Sequence, residues 1–368
     1  MRLSVLLLAV ACVREAPDST PILLDTVADT ADTDVPEIFP KPCSDVYDPD
    51  TVSDIDLEFP AGGWEQLEAD CAAGLKQYRP VTFVFGGESV PAQVRLKGNW
   101  SWTCEKVQLV VSFNETDPDG RFHGERKLVL DAAWYDRTLL HERLDQGYLD
   151  RNFAASEGDL YESWNERKTN EDAPDTGHLN ALKNARTVAE IDAVADLDSA
   201  VAEWAVEAML PAMDNYWAGV EINYYLYDHP SHGFQWLPFD LDASFGDSVY
   251  PGGEPVWPGT LTMDPIYGEH EWWGKEALFE TVLSDPAWCA RYVDEVRAAR
   301  AVYDPDVLAA RIDAWDAQIG PALLADTHKT FTDEEHAADI ASLKAFVAGR
   351  AAFVDEWLDE GGHCPAAW

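Results

Sequence analysis

The chain of 368 residues is long enough for one large domain or two modest lobes, and an aromatic content of 11% predicts that most of it folds. Its formal net charge of −42, from 68 acidic and 26 basic residues, argues against a nucleic-acid partner because phosphate binding needs a basic surface. A polyanionic ligand would therefore need bound cations or a local group of basic residues.

The first twelve residues are typical of an export signal. Arg2 supplies a positive charge, residues 3–10 form an apolar run too short to span a bilayer, and small residues precede Cys12. This pattern predicts a bacterial lipoprotein, lipid-anchored in the cell envelope, in which Cys12 carries the lipid and becomes the mature N-terminus. The alternative is an ordinary secretory signal, and both interpretations export the protein. The lipid on Cys12 is the only membrane attachment that we expect.

Residues 13–45 contain Asp-Thr repeats and several prolines with almost no aromatic side chains, which predicts an acidic disordered tether. Six cysteines are present in the sequence, and export implies an oxidising compartment in which disulfides form. We expect Cys289 to pair with Cys364, because both lie in the helical C-terminal part. A second pair is expected among the early cysteines, Cys43, Cys71 and Cys104.

The remaining chain divides by its hydrophobic periodicity into a β-rich segment, 46–165, and a mainly helical segment, 166–368. Short alternating runs predict strands over 54–59, 81–85, 90–96, 107–113 and 127–130, with a short helix over 65–75. Helical periodicity begins at about residue 187 and predicts final helices over 275–284, 286–303, 305–325 and 332–359. Two strands, 224–227 and 234–239, predict a hairpin inside the helical segment, within a site region at 213–246.

The densest group of polar residues among apolar ones is in this hairpin region: Asp214, Asn223, Asp240 and Asp242. If Asp240 and Asp242 end a strand, their side chains share a face, and two adjacent carboxylates repel unless a cation neutralises them or one stays protonated. Mg²⁺ held by carboxylates and ligand phosphates fits that requirement. The alternatives are a structural calcium-type site and acids that only cap turns. Basic residues of the first segment that could meet phosphates are Arg95, Lys97 and Lys106.

Three stretches resemble sequence words of the CotH (spore coat protein H) kinase family: 94–102, 223–227 and 237–246. The first resembles Arg-x-Lys-Gly-Asn-x-Ser-Trp, the second Asn-Tyr-Tyr-Leu-Tyr, and the third Pro-Trp-Asp-x-Asp-x-Thr-Phe-Gly. The last helix, at 343–354, is similar to the closing helix of that family. The resemblance therefore touches the chain from about residue 52 to about residue 360.

This resemblance implies an α+β, bilobal, atypical protein-kinase-like fold with a β-rich N-lobe and a mainly α-helical C-lobe. It also implies ATP and Mg²⁺ or Mn²⁺ as cofactors, with Ca²⁺ as an alternative metal, and phosphorylation of Ser or Thr in envelope or secreted proteins. Carried over by position, Asp214 would be the catalytic aspartate, and the metal would be held by Asn223, Asp240 and Asp242. The nucleotide would be bound by Arg95, Lys97, Lys106 and Glu142.

The chain departs from the family pattern in its first lobe. Family members usually run through a helix and two more strands where this chain passes from Leu140-His141-Glu142 directly to the segment beginning at Tyr148. A shortened N-lobe would remove part of the wall over a nucleotide. The alternative hypotheses are therefore a degenerate, non-catalytic envelope protein that acts as a structural or binding module, and a calcium-stabilised adhesion module.

Overall fold

The computed structural model of the chain describes residues 2–9, 46, 53–98, 102–130, 139–141, 148–149, 152–246, 259–268, 276–327, 329 and 331–364. For residues 2–9, 53, 139–141 and 242 it describes the backbone alone. The chain divides into two compact units, one ending at Ser156 and one continuing from Glu157. No helix in the described ranges is long and apolar enough to cross a membrane.

The strands described in the first unit form a closed barrel: β1 (Arg2–Ala9), β2 (Ser53–Glu58), β3 (Arg79–Phe85), β4 (Glu88–Leu96), β5 (Leu109–Ser112), β6 (Lys127–Leu130) and β7 (Leu139–His141). Successive strands pair antiparallel, and a parallel pairing of β1 with β7 closes the barrel. β1 covers most of the predicted export signal. The predicted tether and Cys12 lie outside the described residues, so both remain predictions.

The predicted hairpin of the first unit is confirmed. β3 and β4 alternate buried and exposed side chains, and their inward residues Phe83 and Val94 are fully buried. Gly86 and Gly87 join the strands with φ angles of 57° and 85°, a turn conformation that glycine adopts without the steric cost of a Cβ. β2 alternates in the same way, whereas the side chains of β5 are all buried, and the inward residues of these strands form one apolar barrel interior.

A short helix, α1 (Gly63–Ala72), follows β2 and packs on this interior through Leu67 and Cys71. Cys71 forms a disulfide with Cys104, with 5.9 Å between the Cα atoms. This bond confirms the expected pair among the early cysteines, while Cys43 lies outside the described residues. The disulfide ties α1 to the segment that precedes β5.

The second unit contains a four-stranded antiparallel sheet in the order β11-β10-β8-β9. Its strands are β8 (Asp159–Glu162), β9 (Glu166–Arg167), β10 (Tyr224–His229) and β11 (Gly233–Pro238). The β10–β11 hairpin was predicted, whereas β8 and β9 were not. Because β8 pairs with β10, it belongs to the second unit, and the units divide between residues 156 and 157 instead of 165 and 166.

The described helices of the second unit are α2 (His178–Asn184), α3 (Val188–Asp192), α4 (Leu197–Met209), α5 (Ala277–Leu283), α6 (Pro286–Val302), α7 (Pro305–Ala325) and α8 (Asp333–Asp359). The four C-terminal helices agree with the prediction to within about three residues at each end. α6 and α7 each begin with proline after an aspartate whose side chain accepts backbone N–H groups of the first turn. The expected disulfide between Cys289 and Cys364 is confirmed.

The core of the second unit is aromatic and joins the sheet to α4. The ring of Trp204, on α4, stacks on Tyr216 with 5.4 Å between centroids and meets Trp236 of β11 edge-on at 5.5 Å. Tyr224 of β10 meets Tyr216 edge-on at 5.1 Å. These contacts pack α4, the loop that follows it and the start of β10 against one another. Asp214 and Asn223 lie between α4 and β10 in the chain.

Candidate active site in the second unit

The candidate site is built around the open end of the β10–β11 hairpin. Asn223 comes directly before β10, and its carbonyl oxygen accepts a hydrogen bond from the Phe239 N–H at 3.2 Å. Asn223 and Asp240 have φ angles of 60° and 52°, in the left-handed region that Asn and Asp occupy more readily than most residues. The backbone therefore changes direction sharply just before β10 begins and just after β11 ends.

Asn215 joins both strand ends to the loop that follows α4. Its side-chain amide nitrogen donates to the carbonyl oxygen of Asn223 at 2.6 Å and to that of Phe239 at 3.0 Å. The residue is fully buried. These bonds satisfy two carbonyl groups that lie beyond the regular strand pairing, and they hold the neighbouring Asp214 at the base of the hairpin. The sequence analysis did not identify Asn215.

Two backbone hydrogen bonds fix the same loop to the chain beyond β11. The N–H of Phe245 donates to the carbonyl of Leu210, and the N–H of Met213 donates to the carbonyl of Ala243, both at 3.0 Å. Residues 210–215 and 239–245 are therefore connected at several points. This connection explains how Asp214, which lies beyond the end of α4, reaches the hairpin from a loop, as predicted.

Asp214 and Asn223 are in direct contact. The side-chain amide nitrogen of Asn223 donates to Oδ2 of Asp214 at 2.8 Å. Burial and the nearby Asp240 carboxylate raise the pKa of Asp214 to about 7, whereas the hydrogen bond from Asn223 lowers it. Oδ1 of Asp214 is buried and has no hydrogen-bond partner within the described part of the chain. The structure thus brings together three predicted site residues: Asp214, Asn223 and Asp240.

The prediction that Asp240 and Asp242 share one face of a strand is wrong. β11 ends at Pro238, Asp240 has a left-handed backbone, and Asp242 lies in a 3₁₀ turn, Leu241–Ala243. Alternation along an extended strand therefore does not apply to this pair. The side chain of Asp242 is outside the described atoms, so its role as a metal ligand remains a prediction.

The oxygen donors described at the site suit a hard divalent cation. The Asn223 amide presents its nitrogen to Asp214, so Oδ1 of Asn223 is the atom that would serve as the predicted neutral oxygen ligand. Together with Asp240 this gives the carboxylate and carbonyl oxygens that Mg²⁺ and Mn²⁺ prefer. Within the part of the chain that the structure describes, no three His, Cys, Asp or Glu side chains are grouped closely enough to hold a metal ion. Metal binding at this site therefore remains a prediction.

The basic residues predicted to meet phosphates lie in the first unit. Arg95 is on β4, Lys97 follows this strand, and Lys106 precedes β5, whereas Glu142 lies outside the described residues. The Arg95 guanidinium lies over the ring of Tyr78, 5.4 Å from its centroid. Nucleotide binding by these residues remains a prediction.

Lys127 is a basic residue of this region that the sequence analysis missed. Its Nζ lies 5.4 Å from the centroid of the Tyr78 ring and donates to the Tyr78 hydroxyl at 3.2 Å. Across the sheet, Arg95 of β4 is paired with Val110 of β5, and Val110 is paired with Val129 of β6. Lys127 lies two residues before Val129 on β6, so its side chain is on the same face of the sheet as that of Arg95. Lys76, two residues before Tyr78, is a third basic residue near Arg95. Burial and the nearby Arg95 charge lower the pKa of Lys76. We call Lys76, Arg95 and Lys127 the Tyr78 basic cluster.

The chain is thus an α+β protein whose second unit holds a carboxylate–amide pair at the open end of a buried hairpin. The family model described as CotH kinase protein matches residues 139–354, more than half of the chain. The chain therefore belongs to the CotH kinase family, which fits a kinase-like fold. No curated protein matches the sequence.

The family match confirms the predicted family and fold class, and it contains the stretches 223–227 and 237–246 that suggested them. It begins at residue 139, so the stretch 94–102 and the Tyr78 basic cluster lie outside the matched range. The shortened N-lobe remains a prediction. The match therefore bears directly on the site around Asp214, Asn223 and Asp240.

Proposed function

We propose that the chain is an atypical protein kinase that transfers the γ-phosphoryl group of ATP to Ser or Thr side chains of envelope or secreted proteins. The observation that carries this proposal is the contact of Asp214 with Asn223 beside Asp240, inside the range matched by the CotH kinase family. A catalytic aspartate that accepts the hydroxyl proton, an amide and a second carboxylate are the groups that phosphoryl transfer uses.

In the proposed reaction, Asp214 orients the acceptor hydroxyl and takes its proton as the hydroxyl oxygen bonds to the γ-phosphorus and ADP leaves. Asn223 fixes the Asp214 carboxylate through the 2.8 Å hydrogen bond. Asp240, Asp242 and Oδ1 of Asn223 would hold Mg²⁺ or Mn²⁺, which when bound supplies positive charge to the phosphates. The buried hairpin base keeps these groups in place before the substrate arrives.

The proposed contacts to the nucleotide phosphates come from Arg95, Lys97 and Lys106. Glu142 is a further proposed nucleotide-binding residue. Support comes from composition, because only 26 of the 368 residues are Lys or Arg, and Arg95 shares a sheet face with Lys127. Basic residues so placed in an acidic chain provide the local positive charge that a polyphosphate needs.

The experiment is incubation of the purified protein with labelled ATP and either Mg²⁺ or Mn²⁺, with protein substrates added. We expect label on the chain itself or on an added protein, and its loss in Asp214→Asn and Asp240→Ala. Asp294→Ala is the matched control, because Asp294 is an exposed acid paired with Arg297 on α6. A folded wild-type protein that transfers no label with either metal would overturn the proposal. Binding of MgATP without transfer would favour the degenerate binding module.

We also propose that the protein is exported and anchored by a lipid on Cys12. The support is the charged, apolar and small-residue pattern of residues 1–12. Because β1 lies within this segment, cleavage before Cys12 would remove the strand that closes the barrel between β2 and β7. Labelling with a fatty-acid analogue in a bacterial host tests the anchor, which Cys12→Ser should abolish. An unlabelled wild-type chain would contradict it.

A further inference from the structure

Arg350, in the middle of α8, is fully buried and bonded to backbone carbonyls. Its guanidinium donates to the carbonyls of Ala208 at 2.6 Å and Met209 at 3.3 Å, and to those of Leu261 at 3.1 Å and Met263 at 2.6 Å. Burial lowers the pKa of Arg350 to about 10, so the side chain is still charged at neutral pH.

The carbonyls of Ala208 and Met209 belong to the last turn of α4. The last carbonyls of a helix have no partners within the helix and lie at the negative end of its dipole, so a cation there satisfies both deficits. Leu261 and Met263 belong to a separate turn around the 3₁₀ segment Thr260–Thr262. Arg350 therefore joins the end of α4 to this turn.

Gly349, the residue before Arg350, lies close to that turn. A Cβ atom built at Gly349 would lie 2.7 Å from a side-chain carbon of Leu261, closer than real Cβ contacts allow. A larger residue at position 349 would therefore require the Leu261 side chain to move, in the same turn that the Arg350 side chain reaches.

The end of α4 leads into the loop that carries Asp214. Directly after Met209, the carbonyl of Leu210 accepts from Phe245, and Met213 donates to Ala243. These bonds define the path of the loop from its first residue to the residue before Asp214. The position of the Asp214 carboxylate therefore depends on where α4 ends, and Arg350 fixes this point.

We propose that Arg350 is a positioning residue for Asp214, acting through the end of α4 and the loop 210–215. It touches no reacting group, and its role in catalysis rests on the proposed function. Loss of the guanidinium would release the last carbonyls of α4 and let the loop shift. An acid displaced from its working geometry by about 1 Å loses on the order of 10²-fold in rate.

The test compares Arg350→Met with Arg300→Met in the full-length protein. Arg300 is a matched control because it also donates to carbonyls, those of Tyr303 and Ala351, and to Asp355. None of these acceptors belongs to α4 or to the loop 210–215. Arg350→Lys is the second variant, since it keeps the charge but lacks the planar fork that reaches two pairs of carbonyls.

Two readouts separate positioning from simple stability. Hydrogen exchange of peptides covering 208–215 and 240–246 should become about tenfold faster or more in Arg350→Met, or in Arg350→Lys if the Met variant does not fold, and stay unchanged in Arg300→Met. In the phosphotransfer assay, the same variant should lose kcat by about 10- to 100-fold with KM for MgATP within about twofold.

Exchange in these peptides equal to that of the wild type in a folded Arg350 variant would overturn the proposal, whether or not the wild type is active. Equal losses of kcat in the Arg350 and Arg300 variants would also overturn it, because they would indicate a general loss of stability. A wild-type protein without phosphotransfer would instead contradict the proposed function, and the exchange measurement would still decide the role of Arg350 at the loop.

Discussion

Asn223 donates its side-chain amide to the Asp214 carboxylate across 2.8 Å, and it does so from a left-handed backbone conformation with φ of 60°. The contact places a neutral donor on an acid that burial and Asp240 would otherwise protonate more easily. The conformation of Asn223 and its contact with Asp214 can be separated experimentally, because glycine tolerates the same backbone without supplying the amide.

We predict that Asn223→Gly and Asn223→Ala lose phosphotransfer to a similar extent, since both remove the donor to Asp214. They should differ in stability, because a Cβ in the left-handed region costs Ala about 1 kcal/mol more than Gly. Urea denaturation measures the difference. Two variants of equal stability would show that the backbone at residue 223 carries no strain.

The buried amide of Asn215 predicts a large loss of stability on truncation. Asn215→Ala leaves the carbonyls of Asn223 and Phe239 without this donor, at a cost of about 2–3 kcal/mol in the free energy of unfolding. The control is Asn184→Ala, whose exposed amide donates to the Asn180 carbonyl one turn earlier in α2, and which should cost about 0.5 kcal/mol or less. Equal losses in urea denaturation would contradict the role assigned to Asn215.

We predict that Glu276, directly before α5, makes the free energy of unfolding depend on pH. Burial and the neighbouring Glu221 and Glu280 raise its pKa to about 7, above the ordinary 4.5. The folded protein therefore holds the proton more tightly than the unfolded chain, and the free energy of unfolding should fall as pH rises from about 4.5 to about 7. We expect Glu276 to contribute about 1–2 kcal/mol to this decrease in the free energy of unfolding. The contribution is smaller than the full pKa shift implies, because the carboxyl group is partly solvated.

Glu276→Gln should remove this contribution and make the protein more stable than the wild type at pH 8. Urea denaturation at pH 5, 6, 7 and 8 checks the prediction. Glu356→Gln, an exposed change on α8, is the control and should leave the wild-type slope unchanged. A Glu276→Gln variant with the wild-type slope would assign the pH dependence to other groups.

The Tyr78 basic cluster predicts that Lys127 contributes to binding of a polyphosphate. Lys127→Met should weaken ATP binding about tenfold, the loss of one charged contact of about 1.4 kcal/mol. Lys344→Met is the control, because Lys344 pairs with Asp313 on the surface of the second unit. Calorimetry with ATP and with tripolyphosphate measures both, and equal affinities in the two variants would exclude Lys127 from the nucleotide site.

Local signals account for the elements that the sequence predicts well. The Gly86-Gly87 turn and the Asp-Pro starts of α6 and α7 depend on residues adjacent in the chain, so they can be recognised without the rest of the fold. β8 and β9 lack such signals, since they are short and their pairing with β10 brings together distant segments, as with Glu162 and Tyr225. Strand pairing of this kind depends on tertiary context.

The same distinction applies to the site. Asp214, Asn223 and Asp240 are polar residues in apolar surroundings, and this contrast is visible in the sequence. The strand argument for Asp240 and Asp242 is wrong because β11 ends two residues before Asp240, and helix and strand boundaries are the least predictable part of a pattern. Asn215 was missed because its partners are backbone carbonyls, which carry no signal in the side-chain sequence.

Asn215 has a thermodynamic consequence beyond its contribution to stability. One amide joins the ends of β10 and β11 to the residue after Asp214, so a shift of the hairpin end and a shift of Asp214 are energetically coupled. Coupling of this kind is reciprocal. If a ligand bound at Asp240 changes the affinity of the Asp214 site for an acceptor by some factor, the bound acceptor changes the affinity for that ligand by the same factor.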